Sequence, residues 1–387
     1  MEYRLDELFD LQMGKTPSRN NPEYWNTKDH KWISIADLSK CGKYISETKE
    51  YLSDKAVKES GISVIPANTV IMSFKLSIGK TAITAEPMFS NEAIMSFRDL
   101  RKIDLLPDYL YYLFSGKEWD EGTNKAVLGK TLNKATLSQV QIKVHSFSEQ
   151  KKIVQALDNV SSIIEARQRE LQALDDLIKA RFVEMFGDCR LNPKRWDTLA
   201  LGDISEVGSS KRVFVEELKE TGIPFYRGTE VGALAEGKTI VPELYITPDH
   251  YSELIAATGK PRMGDLLMPS ICPDGRIWVV DTEDPFYFKD GRVLWVHSIN
   301  PQFDPIFLLY TLKDRIMTDY SSIASGTTFA ELKIFALKQC RVFDVPLQIQ
   351  RQFVTLIKQI NKSKSTVQKA LDEAQLLFDS LMQKYFG

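Results

Sequence analysis

The sequence is short of the residues that usually announce chemistry. Its four cysteines, Cys41, Cys189, Cys272 and Cys340, show no CxxC spacing. They point to free thiols in a reducing compartment, the cytoplasm. The four histidines, His30, His145, His250 and His297, are equally scattered and read as structural or solvated rather than as metal ligands. There is no run of about 18 apolar residues, so no membrane span is expected. Residues Met1 to Asp6 do not open as a secretory signal. The formal net charge is only −2, which does not suggest a stand-alone, salt-driven nucleic-acid binder.

Glycine and proline are themselves missing from two long stretches, residues 147–186 and 347–386. In the first, apolar side chains recur at Ile153, Leu157, Val160, Ile164, Leu171, Leu174, Ile178, Phe182 and Met185. Steps of three and four make this the seam of a coiled coil. Ser146 with Glu149 reads as a capping box, and Gly187 as a left-handed C-cap. A helix of this length would measure roughly 60 Å. The second stretch repeats the first about 200 positions later, with Phe353, Ile357, Ile360, Lys364, Val367, Leu371, Ala374, Phe378, Leu381 and Tyr385 on its seam. Neither helix buries its stripe alone, so the two are expected to pair. Arg167 and Lys364 are polar breaks in this seam.

The repeat extends beyond the helices. Leu5-Asp6-Glu7-Leu8 resembles Leu201-Gly202-Asp203-Ile204, and Trp32 to Leu38 resembles Phe225 to Val231. Tyr51-Leu52-Ser53 matches Tyr245-Ile246-Thr247, Asn68 to Met72 matches Gly264 to Met268, and Tyr109 to Tyr112 matches Phe307 to Tyr310. At 387 residues the chain exceeds one usual domain. Four parts are expected: a module over 1–145, a helix over 146–187, a second module over 188–345 and a second helix over 346–387. Val70 to Phe74, Leu266 to Met268, Ile277 to Val280 and Val293 to Val296 read as strands. Pro107 to Ser115 and Pro305 to Arg315 read as helices with proline in the first turn. Strands and helices mix without βαβ alternation, so each module is α+β. Residues 1–145 carry 20 basic and 19 acidic side chains, whereas residues 188–345 carry 18 and 23. The second module is therefore acidic.

No catalytic set stands out. Gly14-Lys15-Thr16, Gly79-Lys80-Thr81 and Gly129-Lys130-Thr131 look like pieces of a phosphate-binding loop. Such a loop needs another glycine five residues earlier, where Phe9, Phe74 and Asn124 stand instead. The triplets read as surface turns, or as loops at one edge of each module that touch a common polyanion. There is no dinucleotide fingerprint, no serine nucleophile elbow and no metal-spaced histidine pair, so no cofactor, metal site or catalytic residue is expected.

Two unlike modules, each followed by a long helix opening in Glu149-Gln150-Lys151 or Ile349-Gln350-Arg351, resemble the specificity subunit of type I restriction–modification enzymes. Gly14-Lys15-Thr16-Pro17-Ser18 and Met185-Phe186-Gly187 belong to the same likeness, which spans the chain. It implies two α+β target recognition domains, separated by an antiparallel coiled coil, that read the halves of a split double-stranded DNA sequence. It also implies two methyltransferase subunits that hold S-adenosylmethionine and methylate adenine, motor–nuclease subunits for restriction, and no catalysis by this chain. Ile349 departs from the pattern, since Glu149 has no counterpart in the second helix. DNA-contacting candidates in the first module are the turn residues Lys15, Ser18, Arg19, Asn20, Lys75, Lys80, Lys130 and Lys134. In the second they are Lys211, Arg212, Arg227, Thr229, Arg276, Arg292 and Thr327. A coiled-coil adaptor with two protein- or glycan-binding modules is the alternative from another class.

Overall fold

The computed structural model describes residues 1–25, 27–75, 77–119, 133–326 and 330–387. The chain forms two compact units, residues 1–169 with 368–387 and residues 170–367. Each holds one α+β body and part of each long helix.

The first body is built on a five-stranded sheet. Phe9–Met13, Ile94–Asp99, Val70–Ser73 and Thr81–Thr84 pair antiparallel in that order, and Tyr44–Ile45 adds in parallel at the edge. Beside it, His30–Ile33 lies between antiparallel Glu50–Leu52 and parallel Phe89–Ser90. Glu2–Arg4 pairs with Gln141–Lys143. The second body repeats the plan. Glu206–Gly208, Val293–His297, Leu266–Pro269 and Trp278–Val279 form an antiparallel sheet in that order. Ile223–Tyr226 lies between antiparallel Tyr245–Ile246 and parallel Tyr287–Phe288, and Thr198–Ala200 pairs with Arg341–Phe343. Even the caps correspond. Ser53 accepts from the Ala56 N–H, and Thr247 from the His250 N–H, at the starts of matching helices.

The long helices span Phe147–Phe186 and Leu347–Phe386, the expected bounds. The Ser146 and Glu149 side chains hydrogen-bond across the first N-terminus, and Gly187 takes φ 87° after the last turn. Ile153, Leu157, Val160, Ile178, Phe182, Phe353, Ile357, Ile360, Val367 and Ala374 are buried, so the spacing located the inward stripe. In the second unit the helices run antiparallel. Phe353 meets Phe182 and Phe186 at ring-centre distances of 5.6 and 5.3 Å, and Lys364 Nζ sits 2.5 Å from Asp175. In the first unit, Ile153 and Leu157 share a core with Phe378, Leu381 and Met382, again antiparallel. The polar break at Lys364 is thus paired across the seam.

Gln150 and Gln350 explain why each helix begins where it does. Gln150 accepts from the Leu106 N–H at 3.0 Å and donates to the Asp104 and His145 carbonyls at 3.1 Å each. Gln350 accepts from the Asp304 N–H at 2.8 Å and donates to Gln302 and Val345 at 3.0 and 2.7 Å. Both amides are buried, at 1% and 0% exposure. Leu106 and Asp304 are N-caps of the helices Pro107–Gly116 and Pro305–Ile323. Each glutamine therefore ties two helix starts together, its own buried amide fully paired with backbone groups of both.

Two expected elements differ in extent. The Ile277 to Val280 strand shrinks to Trp278–Val279. The Pro305 helix runs on to Ile323 through a kink at Asp319, because Ile316 continues its buried stripe. Among the described residues, no helix is long and apolar enough to cross a membrane.

Candidate nucleic-acid interface

In the first unit, the Phe9–Met13 strand leaves its sheet through the segment carrying Lys15, Ser18, Arg19 and Asn20. The Gly14 N–H donates to Ile94 O at 3.2 Å and the Lys15 N–H to Ser90 O at 2.8 Å. A Cβ on Gly14 would lie 2.1 Å from Ser90 O and 2.3 Å from Asn91 O, so only glycine permits this approach. The Lys15 ammonium donates to Ser60 O. Ser18 O accepts from the Trp25 indole at 3.1 Å, and Asn20 is exposed. Arg19 lies 3.9 Å above the Trp25 ring and forks onto Glu50. Thr16 donates to Glu92, and this bond more than any other holds Glu92 below the usual carboxylate range, with Lys75 and Arg19 adding attraction. Lys75 follows Phe74, whose N–H donates to Ala93 O at 3.0 Å, one residue from Glu92. Lys80 donates to Ser39 Oγ at 2.9 Å. Lys134 stands apart on the short helix Lys134–Ser138. Lys130 lies outside the described residues.

In the second unit the corresponding strand exit carries Lys211 and Arg212. Ser209 and Ser210 donate to Val293 O and Phe288 O at 2.6 and 2.5 Å, and the Lys211 N–H to the Tyr287 hydroxyl at 2.9 Å. These bonds pin the exit to the turn between Phe288 and Val293. On that turn Lys289 and Arg292 line a cavity of about 460 Å³ together with Arg227, Thr229, Arg276 and Ser270. Four of the sequence-predicted residues thus converge on one hollow. Arg276 reaches it across Gly232, where a Cβ would lie 2.8 Å from its guanidinium. Thr327 lies outside the described residues.

The arginines of this hollow are held by carboxylates. Arg227 contacts Glu230 and Glu243 at 2.5 and 2.8 Å. Arg276 contacts Asp274 and Glu236 at 2.8 and 3.9 Å, and Arg292 pairs with Glu331. Burial pushes Glu230 up, but the Arg227 guanidinium, its backbone N–H and the Thr229 hydroxyl outweigh this and bring it down to about 2. Glu331 is held below the usual range, chiefly by Lys333. Lys289 makes no ion pair among the described residues. The acidic balance of the second module therefore arises partly from side chains that hold its own cations.

Sequence reasoning missed Lys289 and the acids Glu50, Glu92 and Glu331. Asp290-Gly291 is a turn signal, with Gly291 at φ 63°, and basic residues on both sides of it mark Lys289. The acids give no such sign, because their partners lie 31 to 76 positions away. A second cavity of about 530 Å³ holds none of the predicted residues. Within it the buried Asp265 accepts from the Trp295 indole at 2.9 Å and from the Arg262 N–H at 2.8 Å, while burial raises its pKa.

Comparison with known proteins gives a consistent answer. Residues 1–175 match the family of the type I restriction modification DNA specificity domain. The chain is 25% identical over 406 residues to the type I restriction enzyme MjaIX specificity subunit of Methanocaldococcus jannaschii, covering 98% of this chain and 91% of that protein. It is 30% identical over 121 residues to the EcoprrI specificity subunit of Escherichia coli, covering 30% and 29%. The crystal structure of a type I restriction–modification S subunit from M. genitalium superposes with TM-score 0.56 at 15% identity, covering 100% and 96%. A chain from a study of type I complex assembly and conformational transition gives 0.59 at 16%, covering 100% and 97%. At these identities the structures speak for the fold.

Proposed function

We propose that the chain is a specificity subunit of the type I restriction–modification family, the reading its matches support, and that its sequence-specific DNA recognition is divided between its two units. Each compact unit reads one half of a split target. In the first unit the reading side chains come from the 15–20 segment with Lys75, Lys80, Lys130 and Lys134. In the second they come from Lys211, Arg212 and the hollow lined by Arg227, Thr229, Arg276 and Arg292, and from Thr327. Base edges in the major groove offer distinct donor and acceptor patterns, and arginine forks suit guanine. The long helices dock two methyltransferase subunits, and motor–nuclease subunits join for cleavage. Methyl transfer and cleavage belong to those partners, and this chain contributes none of the reacting groups. A base must leave the stack to be methylated, and the partners can supply most phosphate contacts, which suits a chain of low net charge.

The observation that carries this reading is the repeat itself. Two bodies share sheet order, caps and glutamine clamps, yet present different side chains at the same strand exit, Lys15 and Arg19 in one and Lys211 and Arg212 in the other. A shared scaffold with unlike tips reads two unlike sequences. The test replaces residues 1–145 with the equivalent part of a relative and maps methylated adenines in cells that also express the methyltransferase. One half of the motif should change and the other stay. A motif changed in both halves, or in neither, overturns the division.

A further inference from the structure

The hollow of the second unit is lined by four cations, and among the described residues all of them but Lys289 are paired with carboxylates. Its cations Arg227, Arg276 and Arg292 each meet carboxylates of the same unit. A site meant to grip any duplex would leave such cations free, because sequence-independent affinity comes from neutralised phosphates and released counterions. Here that attraction is cancelled in advance at the three arginines.

Glu331 is the acid best placed to do this. It sits on the strand Glu331–Leu332, and the Leu332 N–H donates at 2.8 Å to the carbonyl of Ser270, a residue that lines the cavity. One carboxylate oxygen holds Arg292 and the other accepts from Lys333 at 3.0 Å. Its side chain is 23% exposed, whereas that of Arg292 is 56% exposed. The acid is anchored and the arginine is presented. In the first unit Glu50 holds Arg19 in the same manner, with the guanidinium also resting on Trp25.

We infer that Glu331 is a specificity-determining residue that suppresses sequence-independent binding by neutralising Arg292 while holding it in position to meet a base edge. This rests on the reading of the hollow as a DNA-contacting surface. A long-range field attracts every duplex alike, whereas a positioned guanidinium rewards only a duplex that offers acceptors at the right place. Removing the acid should therefore strengthen binding to wrong sequences more than to the right one.

The test uses the full chain with its methyltransferase subunits and two duplexes, one carrying the methylated motif found in cells and one with that motif scrambled. Affinity is measured across a salt series for the unchanged chain, Glu331→Gln, Arg292→Gln and the double variant. Glu331→Gln should tighten binding to the scrambled duplex by about 3- to 10-fold and steepen its salt dependence by about 0.9 in log–log slope for each of the freed cations, Arg292 and Lys333, that reaches a phosphate. The ratio of target to scrambled affinity should fall. Adding Arg292→Gln should remove the share of the gain that comes from Arg292 and leave only what Lys333 contributes, which a merely structural role of Glu331 would not produce. Should Glu331→Gln fail to fold, Arg292→Gln alone decides, since it should weaken target binding more than scrambled binding. An unchanged scrambled affinity and slope in Glu331→Gln, or equal losses on both duplexes in Arg292→Gln, overturns the inference. If the unchanged chain does not distinguish the two duplexes, the DNA-recognition reading fails instead.

Discussion

Glu230 shows what a single buried carboxylate contributes. It is only 9% exposed, it follows Arg227 by three residues, and its Oε2 accepts from the Arg227 N–H at 2.8 Å. Folding lowers its pKa from 4.5 to about 2. A carboxylate made more acidic by folding contributes stability above its unfolded value and loses it as pH falls through its folded value. The contribution, on the order of 3 kcal/mol, is therefore complete above about pH 5 and drains away toward pH 2. Chemical denaturation followed from pH 6 to pH 2.5 should show this loss, and Glu230→Gln should flatten the curve. A variant with the same acid slope would assign the loss to other groups. Half of this was legible in the sequence, since an acid three residues into a helix is half of a capping box. Its burial, and the second grip of Arg227 on Glu243, depend on chain segments that only folding brings together.

At the level of elements, the strongest periodicity was the most readable. The long helices kept their expected bounds, and their expected seam residues are those buried or half-buried, because a stripe without glycine or proline admits few other structures. The bodies were read less well, since strands as short as Phe89–Ser90 and Tyr287–Phe288 pair in parallel with distant segments. The Glu-Gln-Lys opening marks a helix start in the sequence, but its middle residue is the one whose bonds recur in both units. Gln350→Ala would remove the partner of the Asp304 N–H and of the Gln302 and Val345 carbonyls and should destabilise the second unit by about 3 kcal/mol, at about 1 kcal/mol per hydrogen bond. Gln350→Glu should be comparably harmful, because an ionised carboxylate cannot donate to the Gln302 and Val345 carbonyls. Glu149→Ala should cost nearer 1 kcal/mol, the usual effect of losing a cap. Urea unfolding measures all three. A mild Gln350→Ala would mean that water replaces the amide and that the clamp is not what fixes the helix start.

The whole molecule is continuous through its helices, since each contributes residues to both compact units. If two units read two half-sites, the helices are the parts whose length can set the distance between those sites. A heptad inserted in both, after Arg169 and after Lys369, keeps the 3.5-residue seam in phase. Seven residues add about 10 Å at 1.5 Å each. Along a duplex rising about 3.4 Å per base pair, that is at most about three extra base pairs between the half-sites. An insertion in one helix alone would put the facing stripes out of step and should lower the melting temperature instead. The double insertion is read by mapping methylated adenines in cells that express it with the methyltransferase. Both half-sites should keep their sequence and move apart. An unchanged spacer at full methylation would show that the partner subunits, not these helices, measure the distance along DNA.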